Sequence, residues 1–118
     1  MFKRLLFIKR RPDLTHEQFR DYYEHVHVPL VSSLRLVQPL VYRRNYIMAE
    51  DAIADALMSG RDDSAPSPYD CVTEVVFRNR DDAAPPRAQT IELLREDEKN
   101  FIAPAGLSIH VVETLDAF

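Results

Sequence analysis

Cysteine is almost missing from this chain. Cys71 stands alone among 118 residues, so no internal disulfide can form and stability has to come from packing, with help from a partner subunit. That usage makes the cytoplasm the default location. Glycine is scarce too, with two residues in all; turns must be made by Pro, Asp, Asn and Ser, and there is no Gly-rich phosphate loop. Positive charge is not in excess: the formal net charge is -4, which offers no field for a phosphate backbone and excludes nucleic acid as the expected partner. Long hydrophobic runs are also lacking. Basic residues gather at Lys3, Arg4, Lys9, Arg10 and Arg11, but the apolar stretch between them is only Leu5 to Ile8, too short for a signal-peptide core or a membrane span.

What remains is ordinary globular material. With 46% hydrophobic and 29% charged residues the chain is neither disordered nor membrane-embedded, and its length suits one domain over residues 1–118. Residues 2–10 carry apolar side chains on both alternating faces, Leu6 and Ile8 on one and Leu5 and Phe7 on the other, the pattern of a strand covered on both sides. After Pro12-Asp13, Thr15 and Gln18 form a capping box, with Leu14 and Phe19 as its staple, so a helix starts at Thr15. Phe19, Tyr22, Tyr23, Val26 and Leu30 then recur at spacings of three and four as one apolar stripe. Pro29 lacks the N–H that continuation needs and predicts a kink or restart.

Residues 38–48 read as an aromatic-rich strand, with Pro39 placing its start at an edge or bend. A helical turn over 51–58 and an exposed, mobile loop over 59–69 follow. A strand over 69–77 comes next, then a helix after Pro85-Pro86 with Ile91, Leu94 and Leu93 inward, and a last strand over 108–114. The order β-α-β-β-α-β implies an α+β ferredoxin-like sandwich with a four-stranded antiparallel sheet. Helices cover only one face of such a sheet, and a second copy of the same sheet, in a two-fold homodimer, is the expected cover for the other.

His27 falls one turn from Tyr23 on the apolar stripe. A histidine there either packs in the core with its nitrogens hydrogen-bonded or acts as an acid/base of shifted pKa. Glu74, alternating with Val72 and Val76 in mid-strand, is either a cross-strand partner of a base such as Arg43 or Arg44 or the acidic member of a site. Tyr42 and His110 each lie on a strand face where they are core residues or line a cavity between sheet and helix. Cys71 has no base beside it in sequence, and no Gly-x-Ser-x-Gly elbow occurs, so covalent catalysis is not expected. Four histidines are many for this length, yet His25 and His27 point about 200° apart on a helix and no His-x-x-x-His or Cys-x-x-Cys occurs. Neither a metal nor a cofactor is expected. The acids Glu96, Asp97 and Glu98 read as a solvated helix end, although the helix dipole disfavours acids there, which hints that the helix stops earlier or that they are paired elsewhere.

Three segments, spanning most of the chain, resemble the EthD family of the dimeric α/β-barrel superfamily. They are Leu14–Tyr23 leading into His27-Val28-Pro29-Leu30, similar to the family's His-x-Pro-Leu ending; Tyr69–Phe77, similar to its Asp-x-x-x-Glu strand; and Glu96–Ile102, similar to its Asp-Glu-x-x-Phe segment. Tyr23 stands where many members carry Trp, and the 49–68 loop is long and acidic. The resemblance implies pairing as a dimeric α/β barrel, and a cleft in which His27 is accompanied by Glu74, Tyr42 and the Phe101 segment. Its relatives include accessory proteins of ether degradation, and related barrels act as cyclases, decarboxylases, lactone isomerases and cofactor-free monooxygenases. The resulting expectation is a cofactor-independent enzyme for a small aromatic, polyketide-like or lactone metabolite. In it His27 moves a proton, Glu74 orients His27, Tyr42 hydrogen-bonds the oxyanion, and Tyr23, Asn45, Phe101 and His110 contact the ligand. The alternatives are a non-catalytic accessory or ligand-binding protein and a cofactor-free monooxygenase.

Overall fold

Alternation along the central strands decides the architecture. In the computed structural model, which describes residues 1–48, 52–61, 68–85 and 87–116, strand β3 (Cys71–Phe77) buries Cys71, Thr73, Val75 and Phe77 and leaves Val72, Glu74 and Val76 half-buried. Its neighbour β1 (Phe2–Arg10) runs antiparallel to it, pairing Leu6 with Thr73 and Ile8 with Cys71. Strand β2 (Val41–Tyr46) pairs with the other side of β3 and β4 (Ile102–Val112) with the other side of β1. The sheet order is β2-β3-β1-β4, all antiparallel, the α+β ferredoxin-like arrangement expected from the element order.

The first helical run begins where its capping box places it. The Gln18 N–H donates to Thr15 Oγ1 at 3.1 Å, the Thr15 N–H donates to Gln18 Oε1 at 2.9 Å, and α1 spans His16–Tyr22. Pro29 then leaves its mark. A π-helical turn spans Tyr23–His27, with the Val28 N–H reaching back to the Tyr23 carbonyl, and α2 restarts over Val28–Leu34 with Pro29 in its first turn, where a missing N–H costs least. The wider turn shifts the helical phase and corrects the apolar stripe. Phe19, Tyr23, His27 and Val31 are buried, whereas Val26 turns outward at 43% exposure.

A short α3 spans Ala52–Met58; the rest of the expected loop falls in part outside the described residues. Helix α4 (Ala88–Glu98) follows a 3₁₀ turn at Asp81–Ala83. It presents Ile91 and Leu94 inward, but Leu93 is outward at 53% exposure, which corrects that expectation.

The last strand begins six residues earlier than its sequence suggests. Pro104 and Gly106 lie within it: β4 is an edge strand, where a missing N–H is tolerated, and a bulge opposite Ile8 to Arg10 absorbs the irregularity. Ala105 adopts a left-handed φ of 56° there. Gly106 is required by close approach, since a Cβ would meet the Ala103 carbonyl oxygen at 2.8 Å.

Two apolar clusters form on the helix-covered side, one around Ile8, Phe19, Tyr23, Cys71, Phe101 and Ile102, the other around Phe2, Val75, Phe77 and Ala83. They do not meet completely, and the gap between them is the cavity that concerns function.

Candidate active site

A cavity of about 590 Å³ opens between the sheet and the helices. Its floor is the helix-facing side of the sheet, including Leu6, Tyr42 and Val75, and its walls carry His27 and Arg35 from the first helical run and its end, and Glu98 from α4. This mixture of apolar surface with a few convergent polar groups is the usual character of a small-molecule site.

His27 reaches the cavity because the π turn rotates it inward. Its Nδ1 lies 2.8 Å from Oδ2 of Asp97, and its ring packs against Phe101 with centroids 4.8 Å apart. Tyr22 donates to the other oxygen of Asp97 at 2.5 Å, and Asn100 donates to the Tyr22 hydroxyl at 2.9 Å. Burial works to raise the Asp97 carboxyl, but the hydrogen bonds from Tyr22 and His27 outweigh it and hold the group below its ordinary value. Burial pushes His27 below 6.5; the Asp97 hydrogen bond and charge oppose that shift, and the Arg35 charge adds to it. At neutral pH, therefore, Asp97 is ionised and His27 is neutral. An ionised carboxylate can only accept, so the imidazole proton sits on Nδ1 and the lone pair on Nε2, which has no protein partner among the described residues.

Two tyrosines also line the cavity, Tyr42 from the floor and Tyr23 beside His27. Burial raises the Tyr42 phenol, an effect the Arg35 charge partly offsets, so it remains a protonated donor at neutral pH. The buried Tyr23 hydroxyl pairs with Thr73 Oγ1 at 2.7 Å. Strand β2 is tied to the first helical run by Arg44, whose Nε and Nη2 donate to the two carboxylate oxygens of Glu24 at 2.8 Å each, while Tyr46 donates to Glu24 at 2.5 Å. This bidentate clamp holds the strand that carries Tyr42. Cys71 is fully buried and burial pushes its thiol up to about 11, which leaves it an inert core residue.

Of the residues singled out from sequence, His27, Tyr42, Tyr23 and Phe101 all border this cavity. Glu74, Asn45 and His110 do not. Odd and even positions of a strand face opposite ways, and the register puts these three on the open side of the sheet. There Glu74 accepts from Arg43 at 2.9 Å and lies 3.8 Å from Lys3, Asn45 donates to the Val72 carbonyl at 2.9 Å, and His110 packs edge-on against Phe7. The expected orientation of His27 by Glu74 is thus corrected: Asp97 does it. The solvated helix end is corrected in part: α4 runs to Glu98 and Glu96 stays exposed, but Glu98 lines the cavity and Asp97 is paired with Tyr22 and His27, as the unfavourable helix dipole hinted. Sequence reasoning also missed Arg35, whose one signal was a cation inside the apolar run Leu34 to Val37.

A family model described as the EthD domain matches residues 11–105. The chain belongs to the EthD family. The crystal structure of an EthD family protein from Bacillus halodurans C-125 matches with a TM-score of 0.63 at 14% identity, covering 98% of this chain and 100% of that one; at that identity the likeness is one of fold. No curated protein matches the chain. The EthD match includes His27, Arg35, Tyr42, Asp97 and Phe101, so most of the cavity's polar groups lie within it. Among the described residues of this EthD chain no helix is long and apolar enough to cross a membrane, and no three His, Cys, Asp or Glu side chains gather to hold a metal ion.

Proposed function

We propose that the cavity is the active site of a cofactor-independent enzyme that moves a proton on a small carbonyl-containing metabolite of aromatic, polyketide-like or lactone type. The observation that carries this reading is the His27–Asp97 pair at 2.8 Å, with the ring lining the cavity. Nε2 takes a proton from the carbon beside the carbonyl: the C–H bond breaks, the N–H bond forms, and the electron pair moves onto the carbonyl oxygen. Asp97 stabilises the imidazolium, and the Tyr42 hydroxyl donates to the developing oxyanion. Return of the proton from Nε2 to a different carbon completes an isomerisation; alternatively the enolate carbon bonds to a second carbonyl carbon, whose C=O π pair moves onto oxygen and takes the proton from Nε2, which completes a cyclisation.

On the same reading a second copy covers the open sheet face, where Leu5, Phe7, Val72 and Val76 are only half-buried and the alternation leaves them without helices above. The test of the chemistry is His27→Gln. Exchange of the acidic C–H of a bound ketone or lactone for deuterium, followed by NMR, is expected to slow by about 10²–10⁴. A loss smaller than about tenfold removes His27 as the base, and saturable binding with no exchange in the wild type favours an accessory, ligand-binding role.

A further inference from the structure

One charged group in the cavity has no use in this proton transfer. Arg35, just past the end of α2, lays its guanidinium over the Tyr42 ring at 4.7 Å and the Phe77 ring at 5.4 Å from the centroids. Its Nη1 is buried with no hydrogen-bond partner among the described residues. Arg4, on the same face of β1, also lines the cavity, reaching the Ala83 carbonyl at 3.4 Å through its own Nη1. Arg4 is near enough to disfavour the charge of Arg35, Arg80 disfavours that of Arg4, and burial is the largest influence on both. The cavity's acids do not compensate them: neither Asp82 nor Glu98 forms an ion pair with Arg35 or Arg4 among the described residues. Arg35 is half-buried as a residue, but a guanidinium nitrogen that is itself buried without an acceptor is costly, and an acceptor from outside the chain removes that cost.

We infer that Arg35, assisted by Arg4, receives the carboxylate of an organic-acid substrate, so that the metabolite turned over in this cleft is an anion with an apolar body. The inference rests on the cleft being the active site proposed above and names its substrate class. The planar fork of Arg fits a carboxylate with two parallel hydrogen bonds, and the Tyr42 and Phe77 rings fix the plane of that fork. The apolar floor takes the rest of the molecule. Arg35 and His27 line the same cavity, and the Arg35 charge disfavours the protonated form of His27. A carboxylate held at Arg35 therefore anchors the substrate at a fixed reach from Nε2, and its charge offsets the cation that disfavours the imidazolium.

Calorimetric titration with 2-naphthoate and its neutral isostere 2-naphthamide at pH 8 tests this. Wild type is expected to bind the carboxylate at least about tenfold more tightly, as a charge-assisted hydrogen bond implies. Arg35→Gln is expected to abolish that preference without weakening the amide. Arg35→Lys keeps the charge without the fork; it is expected to retain part of the preference and serves in place of Arg35→Gln if that variant does not fold. Arg4→Gln is expected to lower the preference less. His27→Gln is expected to keep it within about threefold; proton exchange that falls less than about tenfold in that variant, with the preference intact, sinks the base assignment and leaves the carboxylate site standing. Equal binding of the two probes, no saturable binding of either, or a preference that survives Arg35→Gln overturns the inference.

Discussion

The two faces of the sheet each hold a carboxylate bonded to a nitrogen donor at nearly the same distance, and the pairs have little else in common. On the helix-covered face His27 and Asp97 meet at 2.8 Å, with side chains 10% and 12% exposed. On the open face Arg43 and Glu74 meet at 2.9 Å, with the arginine 62% exposed. Distance alone ranks them equal. Surroundings separate them: Phe101 and Tyr23 pack the His27 ring, Tyr22 fixes the second oxygen of Asp97, and the cavity supplies a place for a reacting molecule. Water competes for Arg43 and screens its charge, and such a pair contributes at most about 1 kcal/mol. A mid-strand carboxylate is thus weak evidence of chemistry until the face it points to is known.

The comparison breaks most sharply at Asp97. In Asp97→Asn the amide oxygen can still accept from Nδ1, but no charge stabilises the imidazolium, and proton exchange is expected to fall about 10²-fold or more. Deuterium exchange by NMR checks this, and a residual rate near wild type assigns Asp97 to packing alone. A smaller effect separates the faces by pH. The native pKa of His27 lies below its unfolded value of 6.5, so the unfolded chain takes up the proton first as pH falls. The stability from neutral, buried His27 is complete above pH 6.5 and is lost as pH drops toward and through its native pKa. Asp97, lowered from 3.8, loses its contribution only further down. Urea unfolding between pH 8 and 5 is expected to show a steeper decline for wild type than for His27→Gln; parallel curves contradict the assigned state of His27. The smallest effect belongs to the open face. Glu74→Gln is expected to cost less than about 1 kcal/mol and to leave deuterium exchange within about twofold. Light scattering on the same samples reports whether a second copy covers that face: a dimeric mass agrees with the proposal, and a monomeric mass at micromolar concentration removes it.

Much of the fold was written in local pattern. Thr15 and Gln18 announced the first helix, the two-sided strand at residues 2–10 took the centre of the sheet, and Pro29 foretold the interruption. The errors came where tertiary context overrode local rules. The last strand was expected only from residue 108, but an edge strand with a bulge carries it back through Gly106 and Pro104 to Ile102. Val26 and Leu30 looked buried on an ideal helix, and the π turn rotated the buried row to His27 and Val31. In the site, His27 and Tyr23 were visible because a histidine and an aromatic residue at helical spacing stand out, and Phe101 was implied by the EthD resemblance alone.

By itself, then, the sequence determined the order of elements and the antiparallel α+β sandwich, since each follows from periodicity, capping and proline chemistry within a few residues. Only the tertiary structure decided what His27 touches. Asp97 is 70 residues away along the chain, and no local signal tells which of three adjacent acids a helix will turn toward it. The same holds for Glu74, whose face depends on strand register, and for Arg35, whose missing partner became visible only when the sheet and helices closed around it.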